Sequence, residues 1–300
     1  MKPQQYLEEV LKRESLSEDS DEIKAIRAER AEVEKLLRKN FEESKPTIRY
    51  AGSHAKGTMI RDSFDLDVAS YFTHDDTKAG ETLEEIYGNV KKALETKYLV
   101  VPKTSALRLE SRDSQKHGVY FHIDVVPGRY IDEKKEDTFL FQSSGEKKRL
   151  QTNLQKHVDH VKNSGQMDLI KLAKYWKIRN GLQIRTFVLE LLVIEILTNK
   201  SAENLDKRLV KFWKKLRDEK DEIKIEDPAN PSGNDLSQFF NQSTKSSLAS
   251  ASSTALSLIE TDRWEDLFGN LASMSNAQKI AAVESISLQK PSSPKPWCGQ

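Results

Sequence analysis

The most constraining feature of the sequence is Gly52-Ser53-His-Ala-Lys-Gly57-Thr58 followed by the alternating run Ser63-Phe-Asp65-Leu-Asp67-Val-Ala-Ser-Tyr-Phe72. Apolar and acidic residues alternate there as on a strand, where successive side chains point to opposite faces. Asp65 and Asp67 are therefore expected on one face, about 7 Å apart along the chain. Asp124 sits in a second β-prone run, Phe121-His-Ile-Asp-Val-Val126, closed by Pro127-Gly128. A carboxylate among such apolar neighbours is costly unless it is paired or binds metal. Three carboxylates brought together on adjacent strands would hold two Mg²⁺ ions, for which Mn²⁺ can substitute. One ion would activate a hydroxyl and the other would steady a triphosphate leaving group. An Asp-x-Asp pair alone is common on solvated strand faces. The Gly-Ser turn upstream adds backbone that can approach a ligand closely, with Ser and Thr hydroxyls suited to phosphate.

The order of elements is α/β first and helical afterwards. Residues 1–42 carry apolar positions at helical spacing (Ile23, Ile26, Val33, Leu36, Leu37), Thr47–Tyr50 is β-prone, 80–96 is expected as a helix and 106–111 as a strand. From about Arg149 the periodicity turns helical, with segments near 150–163, 168–180, 185–199 and 203–218 and two or three more after 235. Asp227-Pro-Ala-Asn-Pro-Ser-Gly-Asn-Asp235 is dense in turn formers and interrupts the helical run. The expected division is 1–145, 146–288 and a flexible tail over 289–300.

Together, the Gly-Ser turn, an Asp-x-Asp whose first Asp lies twelve residues beyond Ser53, and a third strand Asp resemble the nucleotidyltransferase superfamily related to DNA polymerase β. The longer string Ala51 to Asp67, with His122-Ile-Asp-Val-Val-Pro-Gly-Arg129, resembles the bacterial cGAS/DncV-like nucleotidyltransferases (CD-NTases), relatives of the oligoadenylate synthetases and the archaeal CCA-adding enzymes. Lys171-Leu-Ala-Lys-Tyr-Trp-Lys177 and Arg185-Thr-Phe-Val-Leu-Glu-Leu-Leu192 resemble two helix motifs that follow the catalytic domain in that family. The fold so implied is α+β, a polymerase-β-like core with a mixed sheet flanked by helices, plus a C-terminal helical domain.

The resemblance implies Asp65, Asp67 and Asp124 as catalytic metal ligands. It places Gly52, Ser53, Lys171 and Lys174 at the nucleotide, with Lys174 gripping the triphosphate and Thr186 hydrogen-bonding it where a serine is usual. Asp227 and Asn234 would line the pocket. The implied activity is synthesis of a cyclic di- or trinucleotide from NTPs, ATP among them, in the anti-phage systems called CBASS. Linear oligonucleotide synthesis, CCA addition and a non-catalytic binding module are the alternatives.

Composition narrows these. Between Lys147 and Arg185 ten basic side chains face only Asp159 and Asp168, a local net charge of +8 suited to phosphate. The whole chain is nearly neutral at +1, so charge gives no support to a long nucleic acid as activator. One cysteine, Cys298, excludes both a disulfide framework and a His/Cys zinc insertion, and fits a reducing cytoplasm. No apolar run has signal-peptide or membrane-spanning character; Glu190 and Glu195 break the longest. The tail, with Trp297 as anchor, is the candidate contact for a HORMA-type or ubiquitin-transfer-like regulator.

Overall fold

A computed structural model of the chain describes residues 1–271 apart from 18, 64, 111–121 and 146. The tail 289–300, residues 272–288 of the expected helical domain and the beginning of the strand around Asp124 lie outside the described residues.

The N-terminal segment forms two helices, α1 (Pro3–Glu14) and α2 (Asp21–Asn40). The helix expected over 1–42 is two, and Ser15, Ser17, Asp19 and Ser20, short polar side chains that compete with helical backbone, lie between them. The Ser20 hydroxyl accepts the Ile23 N–H to cap α2. The two helices then part company. Tyr6, Leu7 and Val10 of α1 pack among the C-terminal helices, whereas Ile23, Ile26, Val33 and Leu37 of α2 cover the sheet.

The sheet runs in the order β1 (Thr47–Tyr50), β2 (Leu66–Phe72), β5 (Ile123–Tyr130), β4 (Leu107–Glu110), β3 (Leu99–Pro102); β6 (Thr138–Phe141) pairs with β5 and β7 (Arg149–Thr152) with β6. Among the described residues only β2 and β5 run parallel, and the other pairs are antiparallel. β5 holds β2 on one side, while on the other its first residues pair with β4 and its last with β6. Short α3 (Gly52–Lys56) links β1 to β2, and α4 (Leu83–Glu95) packs Ile86, Val90 and Leu94 on the sheet behind a Thr82/Glu85 capping box.

Beyond β7 the chain is helical: α5 (Leu154–Lys162), α6 (Met167–Arg179), α7 (Thr186–Ile196), α8 (Leu205–Asp218), α9 (Gln242–Glu260) and α10 (Trp264–Phe268). The helix expected from residue 150 starts at Leu154, because Arg149–Thr152 pairs with β6 and Asn153 caps α5 by accepting the Lys156 N–H. Trp176, Trp213, Phe212 and Phe268 are fully buried where α6, α8 and α10 meet. Arg13, Tyr6 and Arg179 donate to carbonyls of Phe268, Gly269 and Leu267 and fasten the end of α10. Among the described residues no helix is long and apolar enough to cross a membrane.

Candidate active site

The β2–β5 ladder sets the site. The parallel register places Asp67 directly opposite Asp124, and directly opposite residues in a sheet project to the same face. Asp65 lies two residues before Asp67, one residue ahead of the strand's start at Leu66, so it enters the site from a loop rather than from the strand expected. The backbone at Gly52 fits against Asp67. Gly52 has φ +54°, and a Cβ there would fall 1.6 Å from the Asp67 Oδ2. The Ala51 N–H donates to the Asp67 carbonyl at 2.8 Å, which closes the turn onto β2.

Gly52, Asp65 and Asp67 border a cleft of about 460 Å³ between sheet and helices, whereas Asp124, held by Arg108 and Lys103, does not line it. Its walls include Gly52, Ser53, Lys56, Asp65, Asp67, Lys174, Lys177, Thr186, Phe187, Glu190 and Asp227. A more open hollow beside the end of α2, with Lys39, Lys78 and Lys92 on its rim, contains none of the three Asp residues.

Burial, with the Asp124 and Asp65 charges adding to it, pushes the Asp67 carboxyl up to about 7. Asp124 goes the other way. Burial opposes its ionisation, but Arg108 and Lys103 outweigh burial and hold it below the usual carboxylate range. Arg108 grips Asp124 with two bonds, Nε to Oδ1 at 2.8 Å and Nη2 to Oδ2 at 2.9 Å, and reaches the Asp65 Oδ2 at 3.4 Å. Lys103 Nζ adds a contact to Asp124 at 3.2 Å.

A set of carboxylate oxygens with one member short of a counter-charge is the donor chemistry of Mg²⁺ or Mn²⁺, and in that respect the residues fit a divalent cation. The arrangement itself is closed: among the described residues no three His, Cys, Asp or Glu side chains gather closely enough to hold a metal ion. Arg108 and Lys103 take up the Asp124 oxygens.

The raised Asp67 value gives stability a definite pH dependence. Folding raises the pKa from about 3.9, so between about pH 4 and pH 7 the folded chain keeps a proton that the unfolded chain has released. Metal-free stability should therefore fall as pH rises through that window, by at most about 1.4 kcal/mol per pH unit from this group. Thermal unfolding of the wild type and Asp67→Asn in the presence of chelator checks this; a wild type that gained stability on the variant with rising pH would contradict it.

On the helical wall the decisive group is one the sequence reading treated only as a break in an apolar run. Glu190 of α7 is 1% exposed and bridges two lysines, Lys174 at 2.6 Å through Oε1 and Lys56 at 2.7 Å through Oε2. Its burial would raise its pKa, yet the two ammonium groups hold it down to about 2. Lys174 also donates to the Thr58 hydroxyl at 2.8 Å and the Thr58 carbonyl at 3.1 Å, so three acceptors match its three N–H groups. Lys177 borders the cleft too and approaches the Thr186 hydroxyl at 3.3 Å. Burial and the nearby Lys174 charge lower its pKa.

Lys174→Met should strip Glu190 of one of its two cations and cost about 3 kcal/mol of stability, the scale for breaking a buried pair. Lys177→Met, which breaks no ion pair seen in the structure, should leave thermal unfolding nearly unchanged. Equal midpoints for wild type and Lys174→Met would contradict the network.

No protein-family model matches the chain, and no curated protein matches it in sequence. Solved structures do match in shape. CdnC of E. coli MS115-1, in a CdnC:HORMA-deltaN complex, is 21% identical with a TM-score of 0.64 over 87% of this chain and 94% of that one. CdnG, a CD-NTase of Bradyrhizobium diazoefficiens in complex with GTP, is 13% identical with a TM-score of 0.69 over 95% and 99%. The Vibrio cholerae DncV cyclic AMP-GMP synthase, in complex with the linear intermediate 5′ pppA(3′,5′)pG, is 18% identical with a TM-score of 0.61 over 81% and 73%. The chain has the CD-NTase fold.

Within that CD-NTase fold the other residues singled out in the sequence take different places. Ser53 stands in the first turn of α3 and Thr186 at the start of α7, both on the cleft. Lys171 is not on the cleft; its Nζ meets the Ser15 hydroxyl at 3.4 Å, on a face of α6 turned toward the end of α1. Asp227 reaches the cleft, but its oxygens accept from the Ala229 N–H at 2.8 Å and the Asn234 Nδ2 at 2.7 Å. Asn234 lies off the cleft and also donates to the Gln151 carbonyl at 3.0 Å, tying the Pro-rich loop to β7. His157, pushed down to about 4 by burial against the opposing pull of Asp227, stays neutral beside that loop.

Proposed function

We propose that the chain is a divalent-metal-dependent nucleotidyltransferase of the CD-NTase family that joins NTPs and closes the product into a cyclic di- or trinucleotide. The observation that carries this reading is Asp67 in register with Asp124, with Asp65 beside them and Gly52 backbone packed on Asp67, at the end of a cleft whose other wall bears lysines. The fold adds support, since DncV of that fold is a cyclic AMP-GMP synthase.

Asp65, Asp67 and Asp124 would hold Mg²⁺, or Mn²⁺ in its place, which supplies Lewis acidity to the attacking hydroxyl and neutralises the triphosphate. The chain's own part is positioning and charge. A ribose hydroxyl attacks the α-phosphorus; the new O–P bond forms as the bond to pyrophosphate breaks. Asp124 is the candidate acceptor of the hydroxyl proton. Gly52 and Ser53 give the phosphates a close backbone approach, and their charge is opposed by Lys177 and by the net +1 of the Lys56–Glu190–Lys174 cluster rather than by a free Lys174. A second transfer of the same kind closes a dinucleotide ring and a third closes a trinucleotide, each releasing one pyrophosphate.

Incubation of the protein with all four labelled NTPs and Mg²⁺ or Mn²⁺, then phosphatase and mass spectrometry, tests this. A phosphatase-resistant cyclic product is expected, with its bases read from its mass. Phosphatase-sensitive linear chains would overturn the cyclic product in favour of oligoadenylate-synthetase-like synthesis. A CBASS setting and a HORMA-type regulator belong to the same proposal, supported by the CdnC:HORMA-deltaN complex of a protein with this fold. The 289–300 tail is the proposed contact.

A further inference from the structure

Arg108 stands opposite Asp124 across the antiparallel β4–β5 ladder. Among the described residues, every hydrogen bond of its guanidinium goes to a carboxylate of the site: two to Asp124, at 2.8 and 2.9 Å, and one to Asp65 at 3.4 Å. A planar guanidinium matched to a carboxylate in this forked way is the strong, shape-specific form of the ion pair. It occupies both Asp124 oxygens, which are the atoms a divalent cation would need. Among the described residues no hydrogen bond fastens its head to the scaffold, and its side chain is 21% exposed, so it is not sealed in the core. Lys103 reinforces it from a more exposed position, at 38%.

We propose that Arg108 is an internal counter-ion of the metal site: it holds Asp124 and Asp65 in the metal-free state, must exchange with the incoming divalent cation, and thereby sets the metal affinity. This rests on the metal-dependent reading above. Cation and guanidinium compete for the same oxygens, so each stabilises the site at the other's expense. The sign of the effect separates this from a scaffold role. A residue that merely props up Asp124 would weaken metal binding when lost, whereas a competitor strengthens it.

The test is Mn²⁺ binding to the nucleotide-free full chain, followed by electron paramagnetic resonance of the free ion, in wild type, Arg108→Met, Arg108→Lys and Asp124→Asn. Arg108→Met should bind Mn²⁺ about tenfold more tightly than wild type, the scale of one part-buried ion pair. Arg108→Lys, which keeps charge but loses the fork, should fall between, and Asp124→Asn should lose binding. Equal or weaker binding by Arg108→Met, with wild type binding normally, overturns the inference and leaves the metal reading standing. No Mn²⁺ bound by either chain overturns both. If thermal unfolding shows that Arg108→Met does not fold, Arg108→Lys decides alone: tighter binding than wild type supports the exchange, and equal or weaker binding overturns it.

Discussion

Replacing Asp65 and Asp67 together by Asn should lower nucleotide joining by about a thousandfold or more, since the change removes two of the three charged oxygen donors from the proposed metal site. The fold should survive. Asp65 is 44% exposed and lies ahead of β2, so its loss costs little packing. Asp67 carries a carboxyl that burial and its acidic neighbours already push toward the neutral form, and Asn supplies that neutral form at the same size. In the metal-free chain the double variant should therefore unfold at the wild-type temperature or above it near neutral pH. Product formation by the variant at wild-type rate would refute the carboxylate assignment, whatever its stability.

The second large effect is expected at Gly52, for a different reason. The position has φ +54°, where any side chain is strained, and its added Cβ would lie 1.6 Å from an Asp67 oxygen. Asp67 cannot yield freely, because its backbone is held in the β2–β5 ladder and by the Ala51 N–H. Gly52→Ala should thus cost about 3 kcal/mol of stability from strain and overpacking combined. It should also displace the carboxylate enough to abolish synthesis. Ser53→Ala, one residue on, creates no such collision and should fold as wild type. Thermal unfolding and product formation, measured on both variants, separate the two positions; wild-type activity in Gly52→Ala would show that the close approach is not part of the site.

The comparison of Gly52 and Glu190 shows what kind of information the sequence carries. A Gly-Ser turn, an Asp-x-Asp and a strand Asp are local patterns with fixed spacing, and they are legible because each depends only on near neighbours. The long helices α4, α6, α7 and α8 are legible for the same reason, from apolar residues at helical spacing. Glu190, Arg108 and Lys103 owe their roles to partners far away in sequence: Lys56 lies 134 residues from Glu190, and Asp124 lies 16 and 21 residues from the other two. No periodicity announces such pairs. A buried acid inside an otherwise apolar helix was the one available signal for Glu190, since burial of a lone carboxylate demands a cation.

The strands β3, β6 and β7 escaped; each is four residues, as are β1 and β4, so a run of that length is only sometimes legible. Over 150–163 the apolar positions Leu150, Leu154, Val158 and Val161 fit one helical face, although Leu150 belongs to a strand. The Asn153 cap, between the two, marks the true start. Lys171 and Lys174 share one helical motif, yet only Lys174 faces the cleft. Which side of α6 turns inward is decided by the packing of α1 and α8 against it, which the motif does not contain.

Anomalous scattering from a crystal of the full chain, grown with Mn²⁺ and a non-hydrolysable ATP analogue, tests the metal assignment at the three carboxylates. A manganese peak is expected among Asp65, Asp67 and Asp124, with the triphosphate toward Ser53 and Lys177 and with Arg108 withdrawn from Asp124. Nucleotide bound with no manganese at the three carboxylates, and Arg108 still forked onto Asp124, would contradict it.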